Sequence, residues 1–200
     1  MRRFAPIGLA LVTLGLGAEQ GVHGQTRSVA AQVVEAVNPL NEADQAGATV
    51  LGYRSGTTLE VLRQGTNQYV CLADMPGDQR FQVSCYHKDL DPFMARGREL
   101  AAMGKDMEQR RRIRIEEIEA GTLPMPKRAM LISLYGIGDL DTATGLPDSV
   151  ATLRVLYLPY ANAQETGLDE RPSRTSPYLM GAGTAWAHLM LPGERRRFRP

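Results

Sequence analysis

The sequence predicts an α+β domain whose sheet is largely antiparallel and built from hairpins, with a central helical segment and one disulfide. Three observations lead there. β-Rich runs arrive in pairs about turn residues, helix-capping signals cluster in the middle of the chain instead of alternating with strands, and the only two cysteines, Cys71 and Cys85, sit symmetrically about one turn.

Taken in order, Ser28 ahead of Val29, Val33, Val34 and Val37 predicts a short capped helix, which Asn38-Pro39 ends. Its β-branched valines lower helix propensity, so it must dock to persist. Residues 48–53 and 58–62 read as a hairpin about Arg54-Ser55-Gly56-Thr57, and residues 68–72 and 81–86 as a second about Met75-Pro76-Gly77-Asp78. Pairing about Asp78 sets Cys71 opposite Cys85, where a non-hydrogen-bonded cross-strand pair approaches closely enough for a bridge. A redox pair would instead be spaced Cys-x-x-Cys.

Asp91-Pro92 then opens a helix to about Met103, Gly104 ends it, and Asp106 caps a second through Ile113 and Ile118 to Gly121, unless the two are one helix broken at the glycine. Residues 108–119 place arginines before glutamates, the unfavourable order for the helix dipole, and read as a solvated face. After Pro124 and Pro126, strands over 129–135 and 152–160 flank a loop at 139–148. A polar connection covers 162–177, and the last strand spans 185–191.

Arg2 and Arg3 precede an apolar run without charge at 7–18, the pattern of a secretory signal peptide. At about a dozen residues the run is short of the roughly twenty needed to span a bilayer. Small residues suited to cleavage lie at Ala18 and Gly24, which divides the chain into a signal peptide (1–24), one α+β domain (25–194) and a basic tail (195–200). With no cysteine after the run and no twin-arginine flanks, the general secretory route is expected, with a periplasmic or extracellular destination. A formal net charge of +1 gives no field for steering nucleic acid, and no later stretch is apolar enough to be a transmembrane segment.

Few residues suggest chemistry. Period two in the last strand would place Trp186, the single tryptophan, His188 and Met190 on one face, so His188 is the one weak catalytic candidate, as a general base. Trp186, His188, Tyr69 and Tyr86 are the aromatic candidates for ligand binding. His87 with Asp89 and Asp91 lacks recognisable zinc spacing and reads as capping or surface chemistry, so no metal and no cofactor is expected. Asp139, Asp141 and Asp148 resemble a calcium loop only superficially, because Thr144 and Val150 stand where glycine and glutamate are needed; an aspartate-initiated turn leading to Gly145 explains them. Gly136-Ile137-Gly138 completes no dinucleotide fingerprint, and hydrolase, kinase and metalloprotease signatures do not occur. The tail Arg195-Arg196-Arg197-Phe198-Arg199 reads as solvated, with weak contact to anionic surfaces as the competing role.

The segment Val61-Leu62-Arg63-Gln64-Gly65-Thr66-Asn67-Gln68-Tyr69-Val70-Cys71-Leu72, with Cys85 following and the ending Gly183-Thr184-Ala185-Trp186-Ala187-His188, resembles a group of exported bacterial proteins of uncharacterised function. The resemblance covers about half the chain and implies export and a shared disulfide domain, with no activity or substrate to carry over. Gly65 and Asn67 read independently as a turn or bulge before the stapled strand, because both tolerate unusual dihedrals and Asn67 can bond neighbouring backbone. The expectation for function is a non-catalytic envelope or secreted binding module, with a small hydrolase-like enzyme using His188 as the alternative.

Overall fold

A computed structural model describes residues 27–77, 80–141 and 143–197. The signal peptide, both cleavage positions and residues 198–200 of the tail lie outside the described residues. The elements are α1 (Val29–Ala36), α2 (Glu42–Gln45), β1 (Thr49–Gly52), β2 (Glu60–Arg63), β3 (Tyr69–Leu72), β4 (Phe81–His87), a 3-10 turn (Lys88–Leu90), α3 (Asp91–Ala102), α4 (Met107–Glu119), β5 (Ala129–Leu140), β6 (Pro147–Tyr157), α5 (Ala163–Thr166), β7 (Tyr178–Met180) and β8 (His188–Arg197). All eight strands form one sheet in the order β2-β1-β3-β4-β5-β6-β8-β7, antiparallel except between β1 and β3. The expected α+β class and largely antiparallel sheet are what the chain adopts.

The cysteine staple lies where the turn places it. Cys71 and Cys85 are register partners and disulfide-bonded, with Cα atoms 4.0 Å apart. The Lys88 N–H donates to the Gln68 carbonyl, and counting by alternation from that pair makes Cys71 and Cys85 a non-hydrogen-bonded pair, whose side chains lie close. The bond is buried against Ala36 and Val37 at the end of α1.

Alternation along β4 divides the molecule. Phe81, Val83 and Cys85 share one face, where Cys85 packs against α1 and Phe81 and Val83 pack with Leu134, Val150, Leu140 and Leu146, whereas Tyr86 packs with Leu90 and Phe93 of the helical segment, with Leu131, Val155 and Tyr157 of the neighbouring strands, and with Ile118 of α4. Helices therefore cover both faces of the sheet at its centre.

The docking of α1 differs from the sequence expectation. Val29 and Val34 are exposed, and the buried side chains include Gln32 and Glu35. Gln32 makes a two-way bond with Tyr53, donating to its carbonyl and accepting from its N–H at 2.7 Å each. Ser28 caps the helix as expected, its Oγ accepting from the Ala31 N–H.

The Gly65-Thr66-Asn67 turn has a different physical basis from the dihedral freedom expected of it. Neither Gly65 nor Asn67 has a positive φ. A Cβ at Gly65 would overlap the backbone of Ala48 and Thr49, so glycine is needed for close approach. Asn67 ties the turn down, donating to the Asp44 carbonyl at 2.8 Å and accepting from the Tyr69 N–H at 3.0 Å.

α3 and α4 are separate helices, with a capping box between Asp106 and Gln109 starting the second. Arg114 lies across α3, its guanidinium 4.0 Å from the Phe93 ring centroid, and Gly97 makes room for it, since a Cβ there would sit 2.8 Å from the guanidinium. Arg96 of α3 clamps Glu117 of α4 through two nitrogens at 2.6–3.0 Å. These pairs offset the unfavourable charge order along α4, which buries no residue fully but is only partly solvated, since Ile118 packs on the core and Arg114 on Phe93.

The C-terminal half departs most from expectation. The strands of the 139–148 region run further, β5 to Leu140 and β6 from Pro147. The 162–177 connection carries α5 and leads into the short β7. The last strand begins at His188, not at residue 185, and continues through Pro192-Gly193 to Arg197. The proline is tolerated because Pro192 sits at a register shift against β6 and because β7 pairs only with residues 188–190, leaving the outer edge of β8 beyond it unpaired by β7. Arg195, Arg196 and Arg197, read from sequence as the start of a solvated tail, are thus strand residues opposite Ala151, Val150 and Ser149.

Opening the Cys71–Cys85 bond releases a loop of about fifteen residues in the unfolded chain, worth roughly 3 kcal/mol. The Cys71→Ala, Cys85→Ala double variant is expected to lose about that much unfolding free energy in urea titration against the oxidised protein. Equal midpoints and slopes would contradict a stabilising staple.

Candidate functional site

Residues 181–187 form a tight turn between β7 and β8, closed by a Thr184 N–H bond to the Gly181 carbonyl (3.1 Å) and an Ala187 N–H bond to the Thr184 carbonyl (3.0 Å). Thr184 Oγ1 donates to the Gly181 carbonyl at 2.7 Å and accepts from the Trp186 N–H at 3.2 Å. Gly181 has φ +68° and lies against the indole: a Cβ there would approach Trp186 Cε3 to 3.0 Å. Trp186 is therefore held by a turn, not by a strand, and its expected alternation with His188 does not apply.

The two rings meet nonetheless. Trp186 and His188 pack edge to face at 4.5 Å between centroids, and Tyr157 lies 5.1 Å from the imidazole on β6. His188 is only 4 % exposed. The imidazole Nδ1–H donates to the Trp186 carbonyl at 2.7 Å, which fixes the tautomer. Burial depresses the imidazole pKa below its ordinary value, the carbonyl bond opposing it. No carboxylate or hydroxyl among the described residues bonds the imidazole, so the geometry supplies no relay for the catalytic role considered from sequence.

In front of the indole, α4 and the turn leave a cavity of about 350 Å³, lined by Trp186, Thr184 and Gly181 on one side and by Arg111, Arg112, Ile115 and two glutamates of α4 on the other. The Arg111 guanidinium stands 5.6 Å from the indole centroid. Glu108 holds Arg111 at 2.6 Å, and Glu116 faces Arg112 at 3.7 Å. Arg111 and Arg112 belong to the run read as merely solvated. Their link to Trp186 rests on a contact between segments about seventy residues apart, which no local pattern encodes.

The other sequence candidates lie elsewhere. Tyr86 is fully buried under α3, its hydroxyl donating to Asp91 Oδ1 at 2.7 Å and accepting from Arg98 at 3.0 Å, with a pKa raised chiefly by burial. Tyr69 packs on the α1 side of the sheet, the face opposite Trp186. His87 caps the 3-10 turn, Nδ1 accepting from the Asp89 N–H at 3.3 Å. Asp141 accepts from the Ala143 and Thr144 N–H groups, and Gly145 follows with φ +66°, which is the turn expected in place of a calcium loop.

One buried cluster was invisible in the sequence. Arg27 donates to Glu35 Oε1 at 2.8 Å and to Asp74 Oδ2 at 3.0 Å, and the Asp74 N–H reaches Glu35 Oε1 at 3.2 Å. The Glu35 side chain is 1 % exposed. Burial pushes its pKa up to about 7; Arg27 opposes the shift and Asp74 adds to it. The native state then binds more protons than the unfolded chain between pH 4.5 and 7, so this group stabilises the fold fully below about 4.5 and less as pH rises through 7. Unfolding free energy is expected to fall by up to about 3 kcal/mol across that window, and Glu35→Gln to flatten the slope. Urea titrations at pH 4.5, 6 and 7.5 check this; a slope unchanged in Glu35→Gln contradicts it.

No protein-family model, curated protein or solved structure matches the chain.

Proposed function

We propose that the protein is an exported, non-catalytic binding module of the bacterial envelope or its surroundings, and that the groove between α4 and the Trp186 turn is its binding site. The observation that carries this reading is the division of labour at the two rings. Trp186 lines an open groove under a guanidinium, while His188 is buried behind it and bonded to backbone. An aromatic wall with a few polar groups around it suits ligand capture, whereas proton transfer needs a partner at the imidazole.

Export is supported by the amino-terminal pattern of Arg2, Arg3 and the apolar run, and by a disulfide of the kind that persists in oxidising compartments. Among the described residues, no helix is long and apolar enough to cross a membrane. The likeness to exported bacterial proteins through Gly65-Thr66-Asn67, Cys71 and Cys85 is part of the same reading.

Thermal unfolding against a library of small metabolites tests the site. Compounds that raise the Tm of the wild-type protein are expected to lose that effect in Trp186→Ala and Arg111→Ala. Equal shifts in both variants would place binding elsewhere. Chromogenic ester, phosphate and glycoside substrates are expected to turn over at background rate; a rate abolished by His188→Ala would overturn the non-catalytic reading.

A further inference from the structure

We propose that the Trp186 groove takes a neutral carbohydrate, one or two pyranose rings that replace the Arg111 guanidinium over the indole, with their hydroxyls between the arginine and glutamate side chains of α4. This rests on the groove being the binding site, and it commits to the class of ligand.

The first argument is charge. Arg111 and Arg112 pair with Glu108 and Glu116 along the α4 wall of the cavity, so the lining balances. An anion would meet two carboxylates and a cation two guanidinium groups, and a net charge of +1 adds no long-range preference. A neutral ligand meets neither penalty.

The second is hydrogen-bond complementarity. Guanidinium groups only donate and carboxylates only accept. A pair of adjacent sugar hydroxyls does both, accepting from an arginine and donating to a glutamate. A flat aromatic ligand would stack equally well but leave these groups unused. Thr184 has its one donor committed to the Gly181 carbonyl and one lone pair to the Trp186 N–H, so the donor contacts to a ligand fall to α4.

The third is the low cost of forming the complex. Glu108, Arg112 and Glu116 are exposed, and exposed ion pairs hold weakly enough to open for hydroxyls. The indole, in contrast, is fixed beforehand by Gly181, by the imidazole packed edge to face, and by the turn that carries it. A rigid apolar platform with adaptable polar side chains loses little conformational freedom on binding. At about 350 Å³ the cavity is at the small end of ligand sites, which suits one or two rings.

The single tryptophan makes the test direct, because its fluorescence reports this groove alone. The oxidised protein would be titrated with maltose, cellobiose and N,N′-diacetylchitobiose, and with benzoate and tetramethylammonium as ionic counterparts. A saturable change is expected with at least one disaccharide and with neither ion. Arg112→Gln and Glu116→Gln, on the exposed face of α4 with the fluorophore intact, are each expected to weaken it about tenfold. Saturation by benzoate or tetramethylammonium without any disaccharide overturns the sugar assignment but leaves the groove as a binding site. Saturation by no probe also overturns it, and the thermal comparison with Trp186→Ala then judges the groove separately. Disaccharide binding indifferent to both glutamine variants overturns it at this location.

Discussion

The register between β3 and β4 is the constraint on which the rest depends. A slip by one residue would turn every side chain of a strand to the opposite face. The Cys71–Cys85 bond forbids that slip at a point where both faces are in use, with Cys85 directed to α1 and its neighbour Tyr86 to α3. Because β4 is the strand on which β5 pairs, and β6 and β8 follow in turn, the register propagates across the sheet. It brings Tyr157, the imidazole and finally Trp186 under the far end of α4.

Polar pairs finish what alternation begins. α1 docks through Gln32 and Glu35, and α4 is held to α3 by Arg96, Glu117 and the Arg114–Phe93 stack. These groups are individually modest but directional, so they set where each helix lies. The position of α4 is the one that matters for the site, since it supplies one wall of the groove and the turn before β8 supplies the other.

How much of this was legible in the sequence depended on range. Ser28 and Asp106 act on neighbours within a few residues, and their helix caps, like the cross-strand Cys71–Cys85 disulfide, are where the sequence put them. The last strand was expected over 185–191, but it starts at His188 and runs on to Arg197, because Pro192 is accommodated at a register shift against β6. The valines were half a guide: Val33 and Val37 pack on the core, but Val29 and Val34 are exposed, because the helix also docks through Gln32 and Glu35, whose partners Tyr53 and Asp74 lie far along the chain. The site was half legible. Trp186 stood out as the only tryptophan, but its partners on α4 look like any solvated charge run until the fold brings them together.

The central claim is that His188 is a fixed support for Trp186, not a proton carrier. Long-range proton–nitrogen correlation NMR of the imidazole, followed from pH 5 to 8, reads this directly. The account predicts a single neutral Nδ1–H tautomer that does not titrate over the upper part of that range, because burial depresses its pKa. An imidazole that titrates near pH 6.5 or carries its proton on Nε2 would contradict it, and would return His188 to the list of residues able to do chemistry.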